Sequence, residues 1–126
     1  MEPGGNVATQ LRRGVLEHCV LAVLARSPEY AFELVRRLSA FDGLVTSEGT
    51  IYPLLSRLSR DGLVATTWQP SEAGPPRKYY DLTVAGRRAL DAFAVEWTTF
   101  TDGVDDLLQQ AGNGRSRGAR GGRREH

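Results

Sequence analysis

Apolar residues recur at helical spacing in four stretches of the chain, and two β-branched or aromatic runs lie between the third and the fourth. The first stretch, Thr9 to Ala25, carries Leu11, Val15, Leu16, Cys19, Val20, Val23 and Leu24 at three- and four-residue intervals. Ser27-Pro28 stops it, because proline disfavours the α conformation in the residue before it. A second, shorter helix is predicted over Ala31–Ser39. Phe32, Leu34, Val35 and Leu38 form its apolar side, and Arg36 and Arg37 sit in the last turn, where they suit the helix dipole. Asp42-Gly43 reads as a turn. The third helix is predicted over Ser47–Asp61, with Ile51, Leu54, Leu55 and Leu58 as one narrow stripe. Gly62 supplies the left-handed residue that ends it. Pro53 leaves two alternatives, a helix that starts late with Pro53 in its first turn or one that bends there.

Leu63–Gln69 and Arg77–Leu82 read as strands joined by the Pro/Gly-rich loop PSEAGPP, a hairpin with a long loop. Tyr79 and Tyr80 alternate faces, so one belongs to the core. Trp68 is expected to pack between this hairpin and a helix. Thr83 can cap a last helix reaching about Gln110. In that helix Gly86, Leu90, Phe93, Trp97, Phe100, Val104 and Leu107 are spaced alternately by four and three residues, a heptad seam. At 1.5 Å per residue the helix spans roughly 40 Å, more than so small a core can cover. Its natural partner is a second subunit, with Leu90, Phe93, Trp97, Phe100, Val104 and Leu107 as dimerisation residues. Gly86 and Gly103 should each weaken it by about 1 kcal/mol where exposed.

The order helix, helix, helix, strand, strand, helix predicts a mainly α fold with a small β-hairpin: a winged helix-turn-helix followed by a long C-terminal dimerisation helix. The expected organisation is a flexible N-terminus over 1–8, the winged domain over 9–82, the dimerisation helix over 83–111 and a disordered Gly/Arg-rich tail over 112–126.

Composition narrows the function. A chain of 126 residues with 40% hydrophobic content supports one modest core rather than an elaborate catalytic cleft. No membrane-spanning run and no secretory leader is legible, and the single cysteine, Cys19, cannot form an intrachain disulfide, so a cytoplasmic protein is the expectation. Cys19 lies on the apolar side of its helix and reads as core filler. His18 points about 100° away from it, which disfavours a Cys-His pair or a metal site. Arg13 and Glu17 form an i, i+4 pair. No catalytic constellation, phosphate-binding glycine loop or cofactor motif is apparent, so the chain does not read as an enzyme. The net charge is only +1, yet Arg115, Arg117, Arg120, Arg123 and Arg124 face Glu125 alone in the tail, a bias that suits a polyanion.

With the stripe of the third helix turned inward, its opposite face presents Gly49, Pro53, Ser56 and Arg60, flanked by Tyr52 and Arg57. Small residues let a helix enter a major groove, and arginines reach guanine edges or phosphates. Ser47 and Thr50 at its N-terminal end can donate to phosphate. Arg77 and Lys78 stand where the loop returns to the strand, placed to lay cations on an adjacent groove.

The segments TSEGTIYPLLSRLSRDGLV (46–64) and GPPRKYYDLT (74–83) resemble the helix-three and wing signatures of the PadR family of transcriptional regulators. The resemblance covers about residues 9–110. Thr50, Tyr52, Pro53, Leu54, Leu58, Gly62 and Leu63 match in the first segment, and Arg77, Lys78, Tyr79, Tyr80, Leu82 and Thr83 in the second. The family's second helix usually opens Tyr-Gly-Tyr-Glu. Here it reads Tyr30-Ala31-Phe32-Glu33, which keeps Tyr30 as a DNA-contact candidate and loses a glycine and a hydroxyl. The resemblance implies a homodimer that binds double-stranded DNA at an inverted-repeat operator, usually as a repressor. It also implies, for some short members, a flat aromatic effector held between the first and last helices. Trp97 is the matching position, with Arg13, Glu17 and Val20 as further candidates; read from the seam alone, Trp97 is a packing residue. The alternative function is a winged-helix protein-interaction module without DNA affinity.

Overall fold

The computed structural model describes residues 14–112. The expected flexible N-terminus, the part of the first helix over 9–13, Arg13 and the basic tail beyond Gly112 lie outside the described residues. Four helices and a small antiparallel sheet make up the described part: α1 (Leu16–Leu24), β1 (Glu29–Tyr30), α2 (Ala31–Ser39), a 3-10 turn (Asp42–Leu44), α3 (Glu48–Arg60), β2 (Val64–Gln69), β3 (Arg77–Leu82) and α4 (Val84–Gln110). One compact unit ends at Phe93 and a second begins at Ala94.

Among the described residues, the first predicted helix is interrupted at its start. Gly14 adopts φ +82°, a left-handed conformation that interrupts regular helix, and α1 starts at Leu16. Helix α2 matches its predicted span. Of the two alternatives at Pro53, the late start is excluded, for helix α3 runs from Glu48 through Pro53 to Arg60. Pro53 is exposed, so the missing N–H leaves the Gly49 carbonyl to solvent rather than stranded in the core. At the other end Gly62 stands at φ +78°, while Gly62 N donates to Ser59 O (3.1 Å) and Leu63 N to Leu58 O (2.9 Å). This pair of bonds is a Schellman motif, and it turns the chain directly into β2.

The core is formed by Leu16, Val20, Leu21 and Leu24 of α1, Ala31, Leu34 and Leu38 of α2, Ile51, Leu54, Leu55 and Leu58 of α3, and Val64 and Tyr80 of the hairpin. Cys19 packs partly buried against it, and burial pushes its thiol pKa up, as befits a packing residue. The sheet order is β1-β3-β2. The two-residue β1, invisible in the periodicity, pairs Glu29 with Tyr80 and Tyr30 with Tyr79.

Thr83 caps α4 as its sequence position suggests. Gly86 N donates to Thr83 Oγ1 (3.0 Å), and that hydroxyl donates in turn to Gly62 O (2.7 Å), so the start of α4 is tied to the end of α3. Gly86 itself corrects an expectation. It is buried, and a Cβ there would stand 2.1 Å from Leu63 O and 2.7 Å from Leu82 Cδ1. Its role is to permit close approach of helix and strand, not to loosen a seam. Gly86→Ala is therefore expected to destabilise the fold by about 1–3 kcal/mol in denaturant melts. Gly103→Ala, where a Cβ would meet no described residue within 4 Å, should instead stabilise by about 0.4–1 kcal/mol.

Candidate nucleic-acid interface

Burial of the Ile51/Leu54/Leu55/Leu58 stripe decides what α3 shows to solvent. Gly49, Thr50, Tyr52, Pro53, Ser56, Arg57 and Arg60 are all exposed, as is Ser47 at the N-cap position. Ser47 makes no side-chain cap; its hydroxyl instead donates to Thr50 Oγ1 (3.4 Å). Both hydroxyls therefore sit together at the positive end of the helix dipole, where an anion is favoured.

Arg57 is the exception on this face. Its Nη2 donates to Glu17 Oε1 of α1, so it is engaged inside the domain on the flank of α3. Arg60 has no such partner among the described residues. The same Glu17 carboxylate lies 4.0 Å from His18 Nε2, and the His18 ring stacks on Phe93 with centroids 4.1 Å apart. The Arg13 that helical spacing pairs with Glu17 lies outside the described residues; among those described, Glu17 meets Arg57, forty residues away.

The wing extends this surface. The register places Val64 opposite Leu82, Thr66 opposite Tyr80 and Trp68 opposite Lys78. These residues share one face of the hairpin, and Thr67, Tyr79, Gln69, Arg77 and Tyr30 share the other. Arg77 and Lys78 are exposed. Arg77 lies 4.5 Å over the Tyr30 ring, which meets Tyr79 edge-on at 5.3 Å. Tyr30 is thus a half-buried support for a wing cation. Its own position is held from β1: buried Glu29 forms an ion pair with Arg37 Nε (3.0 Å) and accepts a hydrogen bond from Ser27 Oγ (3.2 Å). Tyr80 is the core member of the tyrosine pair, with its phenol pKa raised by burial first and by Tyr52 second. Trp68 does not pack between hairpin and helix as expected. The inner face of the hairpin outruns the core, and the indole stays largely exposed.

The remaining predicted residues lie elsewhere. Val20 is enclosed in the core and presents no surface, while Glu17 is occupied by Arg57. A cleft of about 660 Å³ opens between α1, α2 and the 3-10 turn, lined in part by Cys19, Val23, Arg37, Phe41 and Leu44. Neither Glu17 nor Val20 contributes to it. The heptad seam divides. Leu90 packs against the core and Phe93 against His18, whereas Trp97, Phe100, Val104 and Leu107 are exposed in the second unit.

Three helices, a three-stranded sheet with a projecting hairpin and a helix-turn-helix pair whose second member bares one polar face define a winged helix-turn-helix protein. The chain belongs to the PadR-like family of transcriptional regulators, whose profile matches residues 20–92. It is similar to the crystal structure of a PadR family transcriptional regulator from Eggerthella lenta, with 38% identity over 82% of this chain and 90% of that one and a TM-score of 0.73. A PadR-like regulator from Bacillus cereus is 38% identical over 79% of this chain and 97% of that one, with a TM-score of 0.73. A Streptococcus transcriptional regulator is 37% identical over 78% and 96%, with a TM-score of 0.68. A comparison with curated proteins finds no match. No helix among the described residues is long and apolar enough to cross a membrane.

The two carboxylates that organise this surface differ in burial, and their removal should differ accordingly. Glu29→Ala is expected to cost about 1.5–3 kcal/mol in thermal or urea melts, because it removes the ion pair and the hydrogen bond of a buried carboxylate. Glu17→Gln, at a partly exposed pair, should cost under about 1 kcal/mol.

Proposed function

We propose that the chain is a homodimeric, sequence-specific DNA-binding repressor that inserts α3 of each subunit into successive major grooves of an inverted-repeat operator. The observation that carries this reading is the exposed Gly49–Pro53–Ser56–Arg60 face directly opposite a fully buried stripe. Nothing bulkier than proline or serine lines its centre, so the helix can approach base edges closely, and Arg60 supplies a bidentate donor at its C-terminal end. Arg77 and Lys78 then meet phosphates beside the groove, and Tyr30 backs Arg77.

The dimer forms along the second half of α4. Phe100 and Leu107 each leave about two-thirds of their surface in solvent, and Val104 more than a third, on one heptad seam. Covering each such side chain is worth about 1.5–3 kcal/mol, which favours a second copy of the same helix. In a dimer the two recognition helices must stand about one DNA turn, ~34 Å, apart. A small, flat aromatic molecule at that interface, against Trp97, would favour one dimer geometry over another and so shift operator occupancy. A cytoplasmic location goes with this role.

The reading is tested by mobility shift with DNA from upstream of the chain's own coding region, alongside sedimentation of the protein alone. A dimer that shifts this DNA more tightly than random duplex is expected. Arg60→Ala should weaken binding and lower the slope of log K against log salt by about 1, since one phosphate or base contact is lost. Arg60 is the cleaner probe, because replacing Arg57 also breaks its pair with Glu17. A folded dimer that shows no sequence-dependent shift, or that tolerates Arg60→Ala with unchanged affinity and slope, contradicts the proposal and fits a protein-interaction module.

A further inference from the structure

The hairpin leaves two large aromatic side chains exposed that the contacts above do not use. Trp68 on β2 is 67% exposed and Phe32 on α2 is 54% exposed, with Tyr52 of α3 beside them at 49%. Their exposure has a definite geometric origin. Val64, Thr66 and Trp68 lie on one face of the hairpin, opposite Leu82, Tyr80 and Lys78. Val64 and Tyr80 close the core, whereas the last pair on that face, Trp68 and Lys78, projects beyond it. The overhang forms one wall of a cleft of about 300 Å³, with Phe32 and Tyr52 among the residues lining it.

Two cations, Arg77 and Lys78, stand among the aromatic residues that line the cleft. Lys78 Nζ lies 6.0 Å from the Trp68 ring and 5.8 Å from that of Tyr80, and Arg77 lies over Tyr30. Ring faces rather than carboxylates steady both cations among the described residues. Their positive charge is therefore held in place without being cancelled. An indole offers a broad apolar face together with an N–H donor, a combination suited to a surface that is apolar at one end and wet at the other.

We propose that this cleft seats the sugar–phosphate strand bordering the groove that α3 enters, with the Trp68 indole against a deoxyribose and Lys78 and Arg77 on the phosphates either side of it. The inference rests on the DNA-binding reading above and adds to it an apolar contact. Two observations favour this occupant. Tyr52 belongs both to the cleft wall and to the flank of α3, so the cleft continues the recognition surface without a break. The volume suits one sugar–phosphate unit, whereas a peptide helix needs a groove accepting a cylinder about 10–12 Å across. Phe32 of α2 lines the same cleft and lies 6.4 Å from the Tyr30 ring.

The test is Trp68→Ala in the full chain, measured by fluorescence anisotropy with a labelled random-sequence duplex and with the operator over a range of salt. Because a sugar contact carries no base information, affinity for both duplexes should fall by the same factor, about three- to tenfold. The salt slope should stay unchanged, since a neutral side chain releases no counterion, while Lys78→Ala should lower it by about 1. Trp68→Phe should keep most of the affinity. The melting temperature of Trp68→Ala should equal that of the parent, as the residue lies outside the core. Unchanged affinity in Trp68→Ala overturns the proposal. So does a loss confined to the operator, which would mark a base contact, or a loss that comes with a lowered melting temperature, which would mark a structural role. A parent chain that binds no duplex at all sinks the regulator reading itself; a parent that binds, with Trp68→Ala binding equally, overturns this inference alone.

Discussion

Helix α3 has one side that water must not reach, and most of the molecule's surface logic follows from that. Ile51, Leu54, Leu55 and Leu58 recur at the spacing that puts them on a single stripe, and the other helices and the hairpin close over it. Each of these side chains contributes about 1.5–3 kcal/mol by leaving water. No rotation of α3 keeps that contribution while hiding Gly49, Pro53, Ser56 and Arg60. The polar face is exposed because the apolar face is not. An exposed proline in mid-helix is tolerable for the same reason, since the backbone carbonyl it leaves without a donor faces solvent.

A second constraint fixes where the wing and the last helix start. Leu63 follows the Schellman turn of α3; its carbonyl accepts from Thr83 N (3.2 Å) and abuts Gly86. Thr83 then bonds both Gly62 O and Gly86 N. The end of α3, the root of the hairpin and the first turn of α4 thus share one knot of hydrogen bonds with no room for a methyl group. Any wing cation is positioned relative to α3 through this knot and through the Glu29–Arg37 pair that anchors β1 to α2.

Much of this was legible in the chain alone. Helical spacing located α2, α3 and α4 almost to the residue, because each has a strong one-sided pattern bounded by a recognisable stop or cap: Gly62 after α3, Thr83 before α4. The exposed residues of α3 followed from the same arithmetic. What periodicity could not convey was tertiary. Two residues are too few to show alternation, so periodicity does not reveal β1. Arg57 lay on the flank, where only the path of α1 decides that Glu17 meets it. Gly86 looked like a flaw in a seam because its close neighbours, Leu63 and Leu82, come from the two ends of the hairpin rather than from the helix. Trp68 is expected to pack between hairpin and helix because large rings are highly buried on average, whereas its place on an overhanging hairpin depends on how far the core reaches.

These features form one surface running from the N-terminus of α3, along its small-residue face, to the cations and rings of the wing. The most direct test is a backbone-amide and side-chain footprint by NMR as duplex DNA is added to the isotopically labelled chain. The account places the perturbed signals at Ser47, Gly49, Thr50, Tyr52, Ser56 and Arg60, continuing to Arg77 and Lys78, with Ile51, Leu55 and Leu58 little affected. Signals that move mainly on α4, or that stay still throughout while DNA is bound, would contradict it.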